Sequence, residues 1–378
     1  MTYSPSIREE ILKAAEVLRN TLEEHPECDA RLAEGYIRRG ELRPYPLLTI
    51  TPAPVRQPAR LQELSAIPPA KRTVQETILQ TLLSAPLPAQ ALNPVMPVLH
   101  LGWGPGTLAA CFGIPLNADL GYQPVGQRTL DDLLAAGMPD VESGGMIPQM
   151  REHIEAILDL TPEWVEIAPP DTQGPFNIAH MILGNEVFLE PIERPEAFAE
   201  LMEMITDFYI AFYRQLRQWI GKARYTRFVN SRCRLRECSC NLISADMYLE
   251  HVLPHDRRIA EFFGEVCVHP CSGRHVFYAT MRNLPNIVFH EAMPFDAAIA
   301  PSITVEEAVA EIGDRPVRLC FSRVLEVDSA REAILRDFDM IRQHPAFVAF
   351  YTLAGLQAED PRVVRALNRQ LIDDWQKG

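Results

Sequence analysis

Val266-Cys267-Val268-His269-Pro270-Cys271-Ser272-Gly273 is an apolar run that ends in a Ser-Gly turn. Side chains alternate along a strand, so Cys267, His269 and Cys271 share one face and Val266 and Val268 the other. If the valines pack against covering helices, the His/Cys face looks inward, with Cys271 at the carboxyl end of the strand. Active sites built at the carboxyl ends of parallel strands belong to the β/α barrel. An imidazole and a thiolate two residues apart can hold one tetrahedral zinc at roughly 2.0 and 2.3 Å, although two ligands do not complete such a site.

Outward from this run, short β-rich stretches alternate with helical patterns, which implies parallel strands. The spacing predicts strands at Val95 to Leu101, Trp164 to Ile167, Tyr225 to Asn230, Asn286 to His290, Val317 to Phe321 and Ala346 to Thr352. Helical patterns cover 246–263, 304–312, 328–343 and 361–375. A long helix is predicted from Pro195 to near Gly221, with Phe198, Leu201, Ile205, Phe208, Phe212, Leu216 and Trp219 on one stripe. The fold expected from this order is α/β, a (β/α)8 TIM barrel over residues 94–378. A doubly wound open sheet is the rival, but no G-x-G-x-x-G turn or G-x-x-x-x-G-K-[ST] loop supports it.

Residues 1–93 read as an N-terminal helical and proline-rich extension. Ile7, Ile11, Ala14, Val17, Leu18 and Leu22 recur at helical spacing within Ser6 to Arg31. Prolines 44, 46, 52, 54 and 58 then forbid a long helix, apart from one predicted around Lys71 to Ser84.

The 378 residues carry 36 Lys plus Arg against 50 Asp plus Glu, a net charge of -14. Without clustered cations to displace counterions, nucleic acid and anionic membrane surfaces are disfavoured partners. No apolar stretch of about 18 residues and no apolar signal core at the N-terminus occurs, so a soluble cytoplasmic protein is expected. Eight cysteines are too sparse for a disulfide scaffold, and in reducing cytosol such thiols stay free, bind metal or do chemistry.

Four further groups of residues are candidates for chemistry. Cys320, in a strand, is a possible third ligand beside His269 and Cys271, as are Cys238 and Cys240; packing is the simpler reading of Cys233 and Cys267. Asp171 and Gln173 lie in the Pro-rich loop after the strand ending at Ile167. A carboxylate there can shuttle a proton or orient a ligand, or merely make an Asx turn. His100 and Trp103 flank a glycine-rich turn after the first strand, where backbone and an aromatic face can approach a substrate closely. His290, at a strand end, is a fourth substrate-binding candidate.

These residues together resemble the uroporphyrinogen decarboxylase superfamily, which includes zinc-dependent methyltransferases acting on methylated corrinoid proteins. The resemblance runs from about Pro94 to the C-terminus. It is carried by Asp171-Thr172-Gln173-Gly174-Pro175, Leu183-Gly184-Asn185-Glu186, Glu193-Arg194-Pro195-Glu196, Tyr248-Leu249-Glu250-His251-Val252-Leu253-Pro254 and His269-Pro270-Cys271-Ser272-Gly273, the last like that family's H-x-C-G turn. The resemblance implies a barrel whose cleft binds a tetrapyrrole or corrinoid. In its methyltransferase branch it also implies zinc held by the His and Cys of H-x-C and a later cysteine. Here the late position falls at Ala354, and Cys320 is the remaining candidate. The decarboxylase branch carries an N-terminal R-Q-A-G-R motif, which Arg31-Leu32-Ala33-Glu34-Gly35 does not match.

Three functions follow as expectations. The first is a zinc-dependent methyltransferase moving a methyl group between a corrinoid protein and a thiol, with His269, Cys271 and Cys320 as ligands and Asp171 as a catalytic group. The second is a metal-free decarboxylase or lyase acting on a tetrapyrrole-like substrate. The third is a non-catalytic corrinoid or tetrapyrrole binder. A corrinoid protein, a small-molecule substrate and a second copy in a homodimer are the partners this reading allows.

Overall fold

A computed structural model describes residues 4–31, 49–51, 57–68, 71–101, 103–117, 122–228, 234–270, 273–284, 287–291, 303–313, 315, 317–343, 347–354 and 361–377. The strands are β1 (Thr49–Thr51), β2 (Val98–His100), β3 (Leu116–Asn117), β4 (Gln123–Pro124), β5 (Glu166–Ala168), β6 (Arg234–Arg236), β7 (Val266–His269), β8 (Ile287–Glu291), β9 (Arg318–Glu326) and β10 (Phe347–Ala354). Six of them form a parallel sheet in the order β1-β10-β9-β8-β7-β6. β2 and β5 form a second parallel pair, and β3 and β4 a small antiparallel one. A parallel bridge from Ile167 to Tyr225 extends the β2–β5 pair towards β6.

The chain is therefore α/β with parallel sheets, as the alternation of patterns predicts. Among the described residues no ladder joins the six-stranded sheet to the two-stranded one. The predicted strand from Tyr225 to Asn230 is reduced to a single bridge at Tyr225, and residues 229 and 230 lie outside the described set.

Most helices form where the apolar period requires them. Pro195–Ile220 places Phe198, Leu201, Ile205, Phe208, Phe212 and Leu216 in the core, each under 1% exposed. Trp219 is only partly buried against that core. Proline at the first turn starts this helix without the loss of a hydrogen bond. Val74–Ser84 begins with a capping box between Thr73 and Glu76. The predicted helix over 246–263 divides into Ala245–His251 and Leu253–Phe263. Pro254 cannot donate to the carbonyl four residues back and its ring crowds that carbonyl.

The N-terminal 93 residues are tied into the rest of the molecule. Thr49, Ile50 and Thr51 pair with Phe350, Tyr351 and Thr352, so β1 takes the edge of the main sheet beside β10. Pro5–Glu24 buries Ile11, Ala14, Ala15, Leu18 and Leu22, and Asp29 bridges Val95 just ahead of β2. Among the described residues no helix is long and apolar enough to cross a membrane.

Candidate active site at the carboxyl ends of the strands

The register of the main sheet decides which side chains meet. Arg236 stands opposite His269, Glu291 opposite Cys320, and Cys320 opposite Val348. His269, at the end of β7, directs Nδ1 to the carboxylate of Glu291 at the end of β8. Arg234 reaches the same carboxylate from β6 and lies 3.4 Å from His269 Nδ1. Arg236, Glu291 and Cys320 thus sit level with His269 across four adjacent strands, with Cys320 placed there by its backbone register.

Glu291 is 7% exposed. Burial alone would push its carboxyl up, but the hydrogen bond from His269 and the charge of Arg234 outweigh burial and bring it down to about 2. An ionised carboxylate accepts only, so His269 donates its Nδ1 proton and presents Nε2 outward. A carboxylate fixing one imidazole nitrogen is the arrangement that orients histidine towards a metal on the other.

The loop after β5 forms the neighbouring wall. Asp171 makes an ion pair with Arg236. Gln173, 6% exposed, donates from Nε2 to Asp171 Oδ1 at 3.2 Å and accepts from Asn177 Nδ2 at 2.8 Å. Asn177 Oδ1 in turn accepts the Ser239 amide at 2.8 Å, and His180 Nδ1 meets Ser239 Oγ at 2.8 Å. Thr172 is pinned below by Tyr213, its hydroxyl 2.5 Å from the phenol. Backbone and side-chain bonds together therefore hold Asp171 and Gln173 against the end of β6.

His100 caps β2 and is exposed to solvent. Protein packed around it, then the positive charges of Arg236 and Arg234, hold its imidazole below the ordinary range and so neutral. The same two arginines thus lie near His100 as well as Glu291 and Asp171.

Directly beneath lies a second set of carboxyls that composition and spacing did not flag. Glu237 follows β6, is fully buried, and accepts from Cys240 Sγ at 3.3 Å. Asp256, also fully buried, accepts the Tyr248 hydroxyl at 2.6 Å. Burial pushes the Glu237 carboxyl well up, and the neighbouring Asp256 adds to the effect; burial raises Asp256 to about 7. The pair therefore holds a proton at neutral pH. Gly174 passes so close to Glu237 Oε1 that a Cβ there would collide with it.

The sequence-predicted residues divide accordingly. His269, Asp171, Gln173 and His100 come together around Arg234 and Arg236. Cys271 lies outside the described residues, and of Cys320 only the backbone is described. His290 shares the face of Val268 and is fully buried; its Nε2 lies 3.2 Å from Thr280 Oγ1 and its ring meets Phe277 edge-on. Burial lowers it to about 3, so it is neutral and packed behind the sheet. Trp103 turns edge-on to the buried His153, with ring centroids 5.3 Å apart. Among the described residues no three His, Cys, Asp or Glu side chains form a metal-holding group. The residues that sequence reasoning missed are Arg234, Arg236 and Glu291. Arg234 and Arg236 flank Leu235, which the structure buries, but three residues alone give no apolar run to mark a strand.

No family profile and no curated protein matches the chain. A solved structure, a methyltransferase from Methanosarcina mazei, superposes with a TM-score of 0.59 over 89% of this chain and 96% of that one, at 15% identity. The two share a fold.

Proposed function

We propose that the protein is a methyltransferase that moves a methyl group from a corrinoid to a thiol, on a closed β/α barrel of the uroporphyrinogen decarboxylase type. The observation that carries this reading is the His269–Glu291 pair, an imidazole with one nitrogen tied to an ionised carboxylate and Cys320 level with that carboxylate on the next strand. The fold shared with a methyltransferase supports it.

His269, Cys271 and Cys320 fit zinc by donor type. Zinc bound there would lower the pKa of a coordinated acceptor thiol and keep it as a thiolate. Glu291 holds the Nδ1 proton of His269, which leaves Nε2 as the donor. Arg234 keeps Glu291 ionised. Asp171, anchored by Arg236 and Gln173, orients the acceptor. A methylated corrinoid, bound as substrate, would supply the methyl group, and its cobalt would keep the electron pair of the broken carbon–cobalt bond as the acceptor sulfur took the methyl carbon.

Purified without chelator, the protein should contain close to one zinc per chain and should demethylate methylcobalamin in the presence of a thiol, followed by the visible spectrum. The His269→Ala, Cys271→Ala double variant should lose both. Full methyl transfer by zinc-free protein would remove this reading.

The Asp171–Arg236 ion pair at the mouth supports a second reading, a metal-free lyase in which Asp171 stabilises a cationic intermediate. In that case Asp171→Asn abolishes turnover of a tetrapyrrole substrate while Cys271→Ser is tolerated.

A further inference from the structure

A cavity lies at the opposite end of the strands from His269 and Glu291. It has a volume of about 390 Å³ and is lined, among the described residues, by Arg217, Lys222, Tyr225, Thr226 and Arg227. Helix Pro195–Ile220 ends here, and the chain turns through Gly221 into the bridge at Tyr225, so the cavity opens at the amino ends of the strands. The candidate active site is at their carboxyl ends.

Three of the five lining residues are cations, on a chain of net charge -14. Arg217 is held by stacking: its guanidinium carbon is 4.6 Å from the Phe263 ring centroid, 5.2 Å from that of Phe262 and 5.8 Å from that of Tyr225. Arg227 pairs with the buried Glu166, which also accepts the Arg227 amide at 2.8 Å. Lys222 is exposed, and neither it nor Arg217 makes an ion pair with a carboxylate among the described residues. The three cations that line the cavity are Arg217, Lys222 and Arg227, of which Arg227 is paired with Glu166. The volume falls within the range of about 300–1,000 Å³ typical of small-molecule sites and exceeds what a lone ion fills.

We infer that this cavity binds a small dianionic molecule, a phosphate monoester or a dicarboxylate, between Arg217, Lys222 and Arg227. Guanidinium forks grip either group bidentately, and the lysine adds a point charge. Stacking on Phe263 fixes the Arg217 fork before the ligand arrives, which lowers the ordering cost of binding.

Calorimetric titration of the full chain at low ionic strength tests this, with glycerol 2-phosphate and succinate as separate probes. One of them should bind saturably at one site, and the one that does identifies the anionic group. Lys222→Glu should abolish that binding and Lys222→Ala should weaken it about tenfold, the loss of one charge-assisted hydrogen bond. His269→Ala should leave it unchanged, which separates this site from the one at the other end of the strands. Failure of both probes to bind the wild-type chain, or equal binding by both Lys222 variants, would overturn the inference.

Discussion

Glu291 supplies what His269 cannot find in its own strand, a buried negative charge that fixes which imidazole nitrogen holds the proton. Glu291→Gln removes that charge while keeping the shape. On the zinc-dependent reading proposed above, zinc affinity, measured by competition with a chromophoric chelator, should then fall about 10–100-fold, the usual consequence of losing a carboxylate behind a ligating histidine. Unchanged affinity would show that Glu291 serves Arg234 alone. Asp256 poses a different problem. Its folded carboxyl titrates near 7 against an ordinary value of 3.8, so the folded state holds a proton that the unfolded state has already released. Its contribution to stability is complete below pH 3.8 and is lost as pH rises through 7. Asp256→Asn should flatten this loss: urea midpoints at pH 5 and pH 8 should lie closer together in the variant than in the wild type. Equal pH dependence in both proteins would refute the shared proton.

β6 is the element on which the site turns. Three residues, Arg234–Arg236, send two guanidinium groups to Glu291 and Asp171 and bury Leu235 on the helix side. The loop from Asp171 to Gly174 then packs directly on the end of β6, through the ion pair of Arg236 and the amide of Gly174, which donates to the Arg236 carbonyl at 3.0 Å. Gly174→Ala thrusts a methyl group into Glu237 Oε1. The expected cost is about 3 kcal/mol of overpacking in a site that cannot relax without displacing a buried acid. Thermal denaturation reads it directly, and a variant with wild-type melting temperature would show that the acid has room to move. The short β6 was not legible in the sequence, because three residues with two arginines give no apolar run. β7 was legible because four apolar or aromatic-polar residues end at a turn signal. The break between His251 and Leu253 was also unread, although Pro254 carries the reason for it.

At the scale of the whole molecule, the N-terminal residues belong to the architecture. β1 covers one side of β10, and helix Pro5–Glu24 covers buried core. The link is reciprocal: Asn368, in the C-terminal helix, donates to the Ala91 carbonyl at 2.6 Å and to Asn93 Oδ1 at 3.0 Å. A chain restricted to residues 94–378 would expose the β10 edge and the apolar surface beneath the first helix, both prone to intermolecular pairing. It should be recovered mainly in the insoluble fraction, or should melt well below the full chain. A truncated chain that is monodisperse in size-exclusion chromatography with an unchanged melting temperature would contradict this.

Local pattern determined the alternation of strand and helix, the core stripe of the long helix and the strand that ends in His269. Each depends on periodicities of 2.0 or 3.6 residues that neighbours in sequence can express. Only the tertiary structure decided which charges face one another. His269 with Glu291 is brought together by register between strands, Asp171 with Arg236 by a loop closing over the sheet, and Glu237 with Asp256 by the packing of helix Leu253–Phe263 beneath it. Those are long-range relations, on which the free energy of each carboxyl and imidazole depends and to which a linear pattern is blind.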